Sequence, residues 1–467
     1  MIKDVKLAYI GGGSRAWARK FMTDLAMQND FCGSVNLYDI DEDAAKANVT
    51  VAEIINKSDK AVSKFSYTVS KTLKEALTDV QFVIISILPG TFDEMESDVH
   101  VPEKYGIYHS VGDTAGPGGV VRAMRTLPMF EVIAKAIEEN CPDAWVINFT
   151  NPMTWCMGAL YRTFPKIKAF GCCHEVFGTQ TFLAEEVLKE TLGVEATRHD
   201  IKTDVMGVNH FTWITKATYN GQDIFPLYKE FCKKHAKEYY PFDAEDSEDL
   251  LKAVQGRLFD NKNLVKMDLF SRFGQIAAAG DRHLAEFVNK NWYLRDAKTV
   301  AKFGFGLTPV KWRKDNLVDR IQKTKDLIDG KEEPKFSDSG EEFTLAIRAL
   351  LGIGGDFLTN VNIPNVGQLA FAPKGAIVET NAIFSKDSIK PVESTPLNPC
   401  VENLISGIIE RQELTLKAVL DRNVKDTFLS LTVDPLCAGL NFDEAEKMFK
   451  EMVDNTKEYL GDWDLNL

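Results

Sequence analysis

Leu7-Ala8-Tyr9-Ile10-Gly11-Gly12-Gly13-Ser14-Arg15-Ala16 is the stretch that decides the fold. An apolar run enters three glycines and leaves into an amphipathic segment over 17–27, so strand, tight turn and helix follow in order. The glycines fit the spacing G-x-G-x-x-A. In that pattern Gly11 permits the turn, Gly13 lets the backbone approach a pyrophosphate, and Ala16 allows close helix packing. Gly12, Ser14 and Arg15 complete the turn, and the helix N-terminus then faces the phosphates. A second strand ends at Asp39, 26 residues after Gly13, where a carboxylate accepts hydrogen bonds from the adenosine ribose and repels a 2′-phosphate. The pattern predicts NAD rather than NADP; the plain alternative is an ordinary strand-turn-helix corner.

Working outward, apolar runs over 6–10, 35–38, 82–88, 144–149 and 167–171 alternate with helical patterns such as 17–27 and 127–139. That alternation predicts an α/β protein: a Rossmann-type doubly wound parallel sheet over 1–195 that binds NAD. Beyond Leu192 the pattern loosens, which predicts an α+β domain over 196–467 for substrate, metal and oligomer contacts. Within it, an acidic stretch over 243–249 reads as a solvated loop or helix start, and 334–340 as a loop. Helices are expected over 341–351 and 402–420.

Composition narrows the class. Hydrophobic residues make up 45% and charged residues 26%, as in ordinary globular proteins rather than disordered or membrane-spanning ones. With 55 Lys plus Arg against 68 Asp plus Glu, the net charge of -13 gives no electrostatic footprint for nucleic acid. No apolar run approaches the ~20 residues that cross a bilayer, and Met1 to Asp4 run straight into a strand without a secretory leader. Eight scattered cysteines lack both a disulfide framework and a C-x-x-C zinc pattern. A cytoplasmic protein with reduced thiols is expected.

In open α/β sheets ligands bind beyond the carboxyl ends of the strands. Those ends carry Pro89, Asn148, Asn151 and the triplet Cys172-Cys173-His174. Asn148 and Thr150 are placed for the nicotinamide side and Asn151 for substrate hydroxyls, unless Asn151-Pro152 only starts a turn. Cys173 and, farther on, His210 supply a thiol and an imidazole suited to a divalent cation, or else two core residues. In Ala279-Gly280-Asp281-Arg282-His283, a confined Asp281 would have a raised pKa fit for a general base. The bland reading is a helix start, with Asp281 as cap and an Arg282–Glu286 salt pair.

Together these segments resemble glycoside hydrolase family four, the NAD-dependent glycosidases. The resemblance is carried by Gly11-Gly12-Gly13-Ser14, Asp113-Thr114, Gly116-Pro117-Gly118-Gly119, Arg122 to Arg125, Asn151-Pro152, Cys173-His174-Glu175-Val176, Val208-Asn209-His210, Gly340-Glu341 and Val361-Asn362-Ile363-Pro364-Asn365. It implies a fold similar to lactate and malate dehydrogenases and a route outside the two-carboxylate scheme. NAD takes hydride from C3 of the sugar, the C2 proton becomes acidic, elimination expels the C1 leaving group, water adds, and hydride returns to C3. A divalent metal, usually manganese, bridges the sugar oxygens at C2 and C3. The resemblance places the metal on Cys173 and His210, the leaving-group acid on His174 and the C2 base on Asp281, with Tyr239, Tyr240 and Tyr293 as other bases. Homodimers or homotetramers are implied as well.

The word Cys173-His174-Glu175-Val176 resembles that of the α-galacturonidases, so a small acidic sugar is the expected substrate, with Arg122, Arg282 and His283 as partners for its carboxylate. α-Glucuronides, α-galactosides and α-glucosides remain alternatives within the family. A 2-hydroxy acid dehydrogenase shares the glycine turn, but its Gly-Glu-His-Gly-Asp segment is missing. A silent NAD-binding regulator is the alternative outside enzymes. Glu175 is expected to contact substrate, orient His174 or cap the next helix.

Overall fold

The computed structural model describes residues 2–235, 247–257, 259–337 and 339–467. Six parallel strands make up the first half: β1 (Ile2–Ile10), β2 (Phe31–Tyr38), β3 (Phe65–Val69), β4 (Phe82–Ile85), β5 (Trp145–Asn148) and β6 (Lys168–Gly171). They lie in the order β3-β2-β1-β4-β5-β6, that of a dinucleotide-binding doubly wound sheet. Alternation along the central strands feeds two cores. Leu7 and Tyr9 pack with Val35, Leu37, Phe82 and Ile84 on one face, Ala8 and Ile10 with Val83 and Ile85 on the other. Because both faces are covered, these strands read as continuous apolar runs. The edge strand β3 alternates polar and apolar over only five residues and escaped the sequence reading.

The second half supplies β7 (Ile201–Val208), β8 (Phe211–Tyr219), β9 (Gln222–Asp223), β10 (Ile276–Ala277), β11 (Phe357–Pro364), β12 (Ile377–Ser385) and β13 (Ser388–Pro391). All pair antiparallel, yet they form no separate sheet. β11 joins β6 through Asn362 and Gly171, and the sheet runs on through β12, β7 and β8 to β10. Gly171 permits the junction, since a Cβ there would lie 2.4 Å from Met153 Sδ and 3.1 Å from Asn362 Cβ.

Helices of the second half also cover the first. The Phe343–Leu350 helix shares a core with Leu7 and Tyr9, where Phe343 stacks on Phe21 at 5.0 Å and meets Phe149 edge-on at 6.0 Å. The helix expected over 127–139 begins much earlier and spans Gly116–Asn140. Pro117 sits in its first turn, where the missing N–H costs nothing. The helix expected over 402–420 is Pro399–Leu420. Tyr239, Tyr240, residues 243–246 of the acidic stretch and Asp338 lie outside the described residues. No helix among the described residues is long and apolar enough to cross a membrane.

Phe343→Ala removes a ring that ties the halves together and is expected to cost about 3–5 kcal/mol. Urea unfolding followed by fluorescence and far-UV circular dichroism should shift to lower denaturant as one transition; separate transitions for the two probes would show that the halves unfold independently.

Candidate active site

At the nucleotide end, Gly11 has φ +96, and a Cβ on it would meet Ser86 O at 2.0 Å, so only glycine fits. Gly13 serves Asp39. Its N–H donates to Asp39 Oδ2 at 2.8 Å, and a Cβ there would stand 2.9 Å from that carboxylate. Asp41 N–H holds Oδ1 at 2.9 Å, so the acidic strand end is oriented by the turn. Ser14 Oγ accepts from Trp17 N–H at 3.1 Å and opens the Trp17–Met27 helix. Asn48, which sequence reasoning missed, donates to Gly12 O at 2.7 Å and Ser14 O at 2.9 Å. Burial pushes the Arg19 guanidinium down to about 10, with Arg15 and Arg320 adding like charge. Arg15 in the glycine turn and Arg19 one helical turn on supply cations that suit a pyrophosphate. Pro89 is held by its carbonyl, which accepts from Arg125 Nε at 3.1 Å.

Asn148 ends β5 and spends its amide locally, accepting from Thr150 N–H at 3.0 Å and donating to Thr150 O at 3.1 Å. It thereby shapes the turn through the cis Asn151–Pro152 peptide. Asn151 Oδ1 is buried without a partner, while Asn151 O accepts from Arg122 Nε at 3.3 Å.

Glu175 opens the Glu175–Phe182 helix and gathers the site around it. Its Oε2 accepts from Gly280 N–H at 2.7 Å, and its Oε1 lies 3.5 Å from His283 Nε2 and 3.9 Å from His174 Nε2. Burial would raise this carboxyl, but His283 and the other imidazoles outweigh burial and hold it at about 2. His174 Nδ1 lies 2.9 Å from Glu341 Oε1; that hydrogen bond raises the His174 pKa against the effect of burial and favours its protonated form. Trp17 stands 6.4 Å from the His174 ring, which sets the nucleotide turn beside it.

His210 occupies the β7–β8 turn at φ +66, a strained conformation for a non-glycine residue and one found at functional sites. Thr114 Oγ1 lies 2.6 Å from Asp113 Oδ1 and 3.2 Å from His210 Nδ1. Although burial pushes the Asp113 carboxyl up, Arg122 above all holds it at about 2. The ionised carboxylate takes the hydroxyl proton, so His210 donates through Nδ1 and keeps a bare lone pair on Nε2. Burial, with the tilted His283 ring 3.7 Å away, lowers the imidazole to about 3 and keeps it neutral.

Gly171, Asn362, Glu379 and Gly207 stand in register across β6, β11, β12 and β7, so Cys173 and His210 follow just past the ends of strands in one row. Burial, then Glu379 and Glu175, pushes the Cys173 thiol well up. A thiol and a bare imidazole nitrogen are a fitting donor pair for a divalent cation, which would displace the thiol proton. Among the described residues no group of three or more His, Cys, Asp or Glu side chains is arranged to hold a metal ion. Glu379 was also missed; Asn209 and Asn360 donate to it at 3.2 and 2.9 Å, and burial raises it to about 7.

Asp281 is fully buried, with Oδ1 accepting from Lys266 N–H at 3.0 Å and Oδ2 unpartnered. Burial pushes its pKa up to about 6 against the pull of Lys266. The helix start of the bland reading is present at Asp281–Glu286, but its cap and salt pair are not. Asp281 caps the neighbouring Leu264–Phe273 helix, and Glu286 pairs with His109 Nδ1 at 3.1 Å and with Val111 N–H at 2.8 Å rather than with Arg282. Arg282 donates to Ser110 O at 3.0 Å and Thr308 Oγ1 at 3.0 Å, which commits it to holding loops. His283 Nδ1 is buried and unpartnered. Tyr293 donates to Asp268 Oδ2 at 2.7 Å. A pocket of about 250 Å³ opens beside His174 and Glu175 and reaches Lys266 and Asn261.

Comparison with known proteins then decides the family. The model of the family 4 glycosyl hydrolases matches residues 6–189, and that of their C-terminal domain matches residues 205–437. The chain belongs to family 4 of the glycosyl hydrolases. A curated alpha-galacturonidase of Thermoanaerobacterium saccharolyticum is 51% identical to this family 4 chain, covering 99% of it and 98% of the relative. A crystal structure from Bacillus subtilis, described as a glucosidase, superposes with a TM-score of 0.87 at 43% identity, covering 97% of this chain and 100% of that one. The 6-phospho-beta glucosidase of Thermotoga maritima, solved with manganese, NAD+ and glucose-6-phosphate, shares the family 4 fold at a TM-score of 0.75 and 20% identity, covering 97% of this chain and 99% of that one.

Gly13→Ala would push the new methyl against Asp39 and is expected to weaken NAD binding by about tenfold, roughly 1.4 kcal/mol. Calorimetric titration checks this; unchanged affinity would separate the turn from the cofactor.

Proposed function

We propose that this chain hydrolyses α-galacturonides by oxidation at C3, elimination across C1 and C2, water addition and re-reduction, and that it does so in the cytoplasm. The observation that carries the reading is the set of buried polar atoms without partners beyond the strand ends: Asn151 Oδ1, His283 Nδ1 and Asp281 Oδ2. Such atoms are costly unless a polyhydroxylated ligand satisfies them. The half-identical alpha-galacturonidase supports the substrate class.

The glycine turn with Arg15, Asp39 and Pro89 fits NAD, and Cys173 with His210 fits a divalent cation, as the manganese and NAD+ of the Thermotoga maritima structure support. Bound there, NAD supplies reversible oxidation at C3 and the cation polarises the sugar oxygens at C2 and C3. Asn151 and His283 orient the sugar through their free polar atoms, and Arg122 lies beside them for its carboxylate. Asp281 removes the C2 proton with Oδ2, which its surroundings leave free. His174 donates to the glycosidic oxygen as the C1 bond breaks, kept charged by Glu341. Asn148 positions Asn151 rather than touching a ligand. All eight cysteines are unpaired, and Cys173 has to stay reduced to act, which suits the cytoplasm. Assembly into homodimers or homotetramers follows from the family reading and is measured by light scattering.

Proton NMR of α-linked digalacturonate in D2O, with NAD, manganese and a thiol reductant, should yield monomer deuterated at C2, because elimination exchanges that proton. Cleavage with the C2 proton intact would exclude the elimination route.

Because the base has to be ionised, kcat/KM is expected to rise as pH climbs through about 6. Asp281→Asn should abolish C2 exchange and keep NAD binding; persistent exchange would assign the base to another group.

A further inference from the structure

The pocket beside His174 has a buried ammonium in its wall. Lys266, on the Leu264–Phe273 helix, is 2% exposed; its Nζ donates to Thr179 Oγ1 at 2.9 Å and lies 5.3 Å over the Phe182 ring. Thr179 and Phe182 belong to the Glu175–Phe182 helix, and both line the pocket of about 250 Å³ together with Lys266. The ammonium thus stands where the two halves of the chain meet around this space. Burial pulls its pKa down to about 8 against Asp281, Glu175 and Glu186, which leaves it charged at neutral pH.

That charge is open on the pocket side. An ammonium carries three donors; the described residues engage one, through Thr179, and pair none with a carboxylate within 4 Å. Glu175 is spent on Gly280 and His283, and Glu185 and Glu186 line the pocket from its exposed side. A buried ammonium is costly unless an anion completes it.

The lining decides which part of a substrate enters. His174, Glu175 and Gly280 border the pocket, whereas Asn151, Cys173 and His210 do not. The proposed reaction sets the oxidised sugar against Asn151 and the Cys173–His210 pair, with His174 donating to the glycosidic oxygen. Space that His174 borders and that pair does not belongs to the leaving group. Its volume of about 250 Å³ is some eight times the ~30 Å³ share of a liquid water, enough for one sugar ring. Thr181, Asn261 and Asn263 add neutral polar groups for hydroxyls.

We infer that Lys266 receives the carboxylate of a second uronate, the leaving sugar, and so sets a preference for uronate–uronate linkages over galacturonides with neutral leaving groups. The inference rests on the α-galacturonide reading and deepens it by naming the leaving group. A charged hydrogen bond formed in a desolvated wall discriminates strongly against a ligand that lacks the anion.

The test is the ratio of kcat/KM for α-linked digalacturonate to that for the same disaccharide methyl-esterified on its reducing-end residue alone, with NAD, manganese and a thiol reductant present. Wild-type protein should favour the free acid by about tenfold to a hundredfold, mainly through KM, and Lys266→Met and Lys266→Gln should bring the ratio close to one. Any effect of these variants on Asp281 falls on both substrates and cancels in the ratio. Melting temperatures of the variants should hold or rise, because an uncompensated buried charge is gone. Loss of folding in both variants would make the ammonium structural and overturn the inference. Equal efficiency of the wild type on both substrates, or a ratio that survives in both variants, would overturn it while leaving the functional reading intact. Wild-type protein that cleaves neither disaccharide would overturn both.

Discussion

The hydrogen bond from Gly280 N–H to Glu175 Oε2 joins the two halves at the point where chemistry is placed. Glu175 follows β6 of the parallel sheet; Gly280 caps the Asp281–Glu286 helix of the second half. With that helix fixed, Asp281, Arg282 and His283 have fixed positions. The far end of the same helix is held by Glu286 on His109 and on the Val111 and Gly112 N–H groups. Loop 109–114 is positioned in turn, and with it the Asp113–Thr114–His210 chain that leaves His210 Nε2 bare. One carboxylate ionised by its neighbours thus orients groups from both halves without touching most of them.

The first half was readable because its strands obey a rule that leaves marks in a linear sequence. A parallel strand buried on both faces is an apolar run, and three glycines between such a run and a helix have few other uses. Beyond Leu192 the same marks fade. β11 and β12 carry Thr359, Asn360, Asn362, Glu379, Thr380 and Asn381, all largely buried, so their polar residues suggest loops where the chain is a sheet interior. Asn360 bonds Glu379, Thr359 bonds Glu342 and Asn381 bonds the backbone of β7, partners that no single segment reveals.

The site follows the same division. Cys173, His174 and His210 carry recognisable words, and the structure adds the surroundings of each: a buried thiol, an imidazole bonded to Glu341 and an imidazole bonded to Thr114. Asn48 carries no such word, being an ordinary residue whose partners lie far away in sequence. A signal was available for Glu379, since a lone carboxylate inside Ile377-Val378-Glu379-Thr380 asks for partners, and the asparagines of Val361-Asn362-Ile363-Pro364-Asn365 were candidates.

The seam between β6 and β11 bears on how the molecule is made. Gly171 and Asn362 stand roughly two hundred residues apart in the chain, so their pairing is a contact of high sequence separation and forms late. During synthesis the six parallel strands can condense first, while the open edge of β6 waits for a partner not yet translated. An unpaired strand edge invites pairing with another nascent chain, and this one is only four residues long, Lys168–Gly171, and opens with a charge. Brevity and a lysine protect the unfinished sheet until the last strands close the edge.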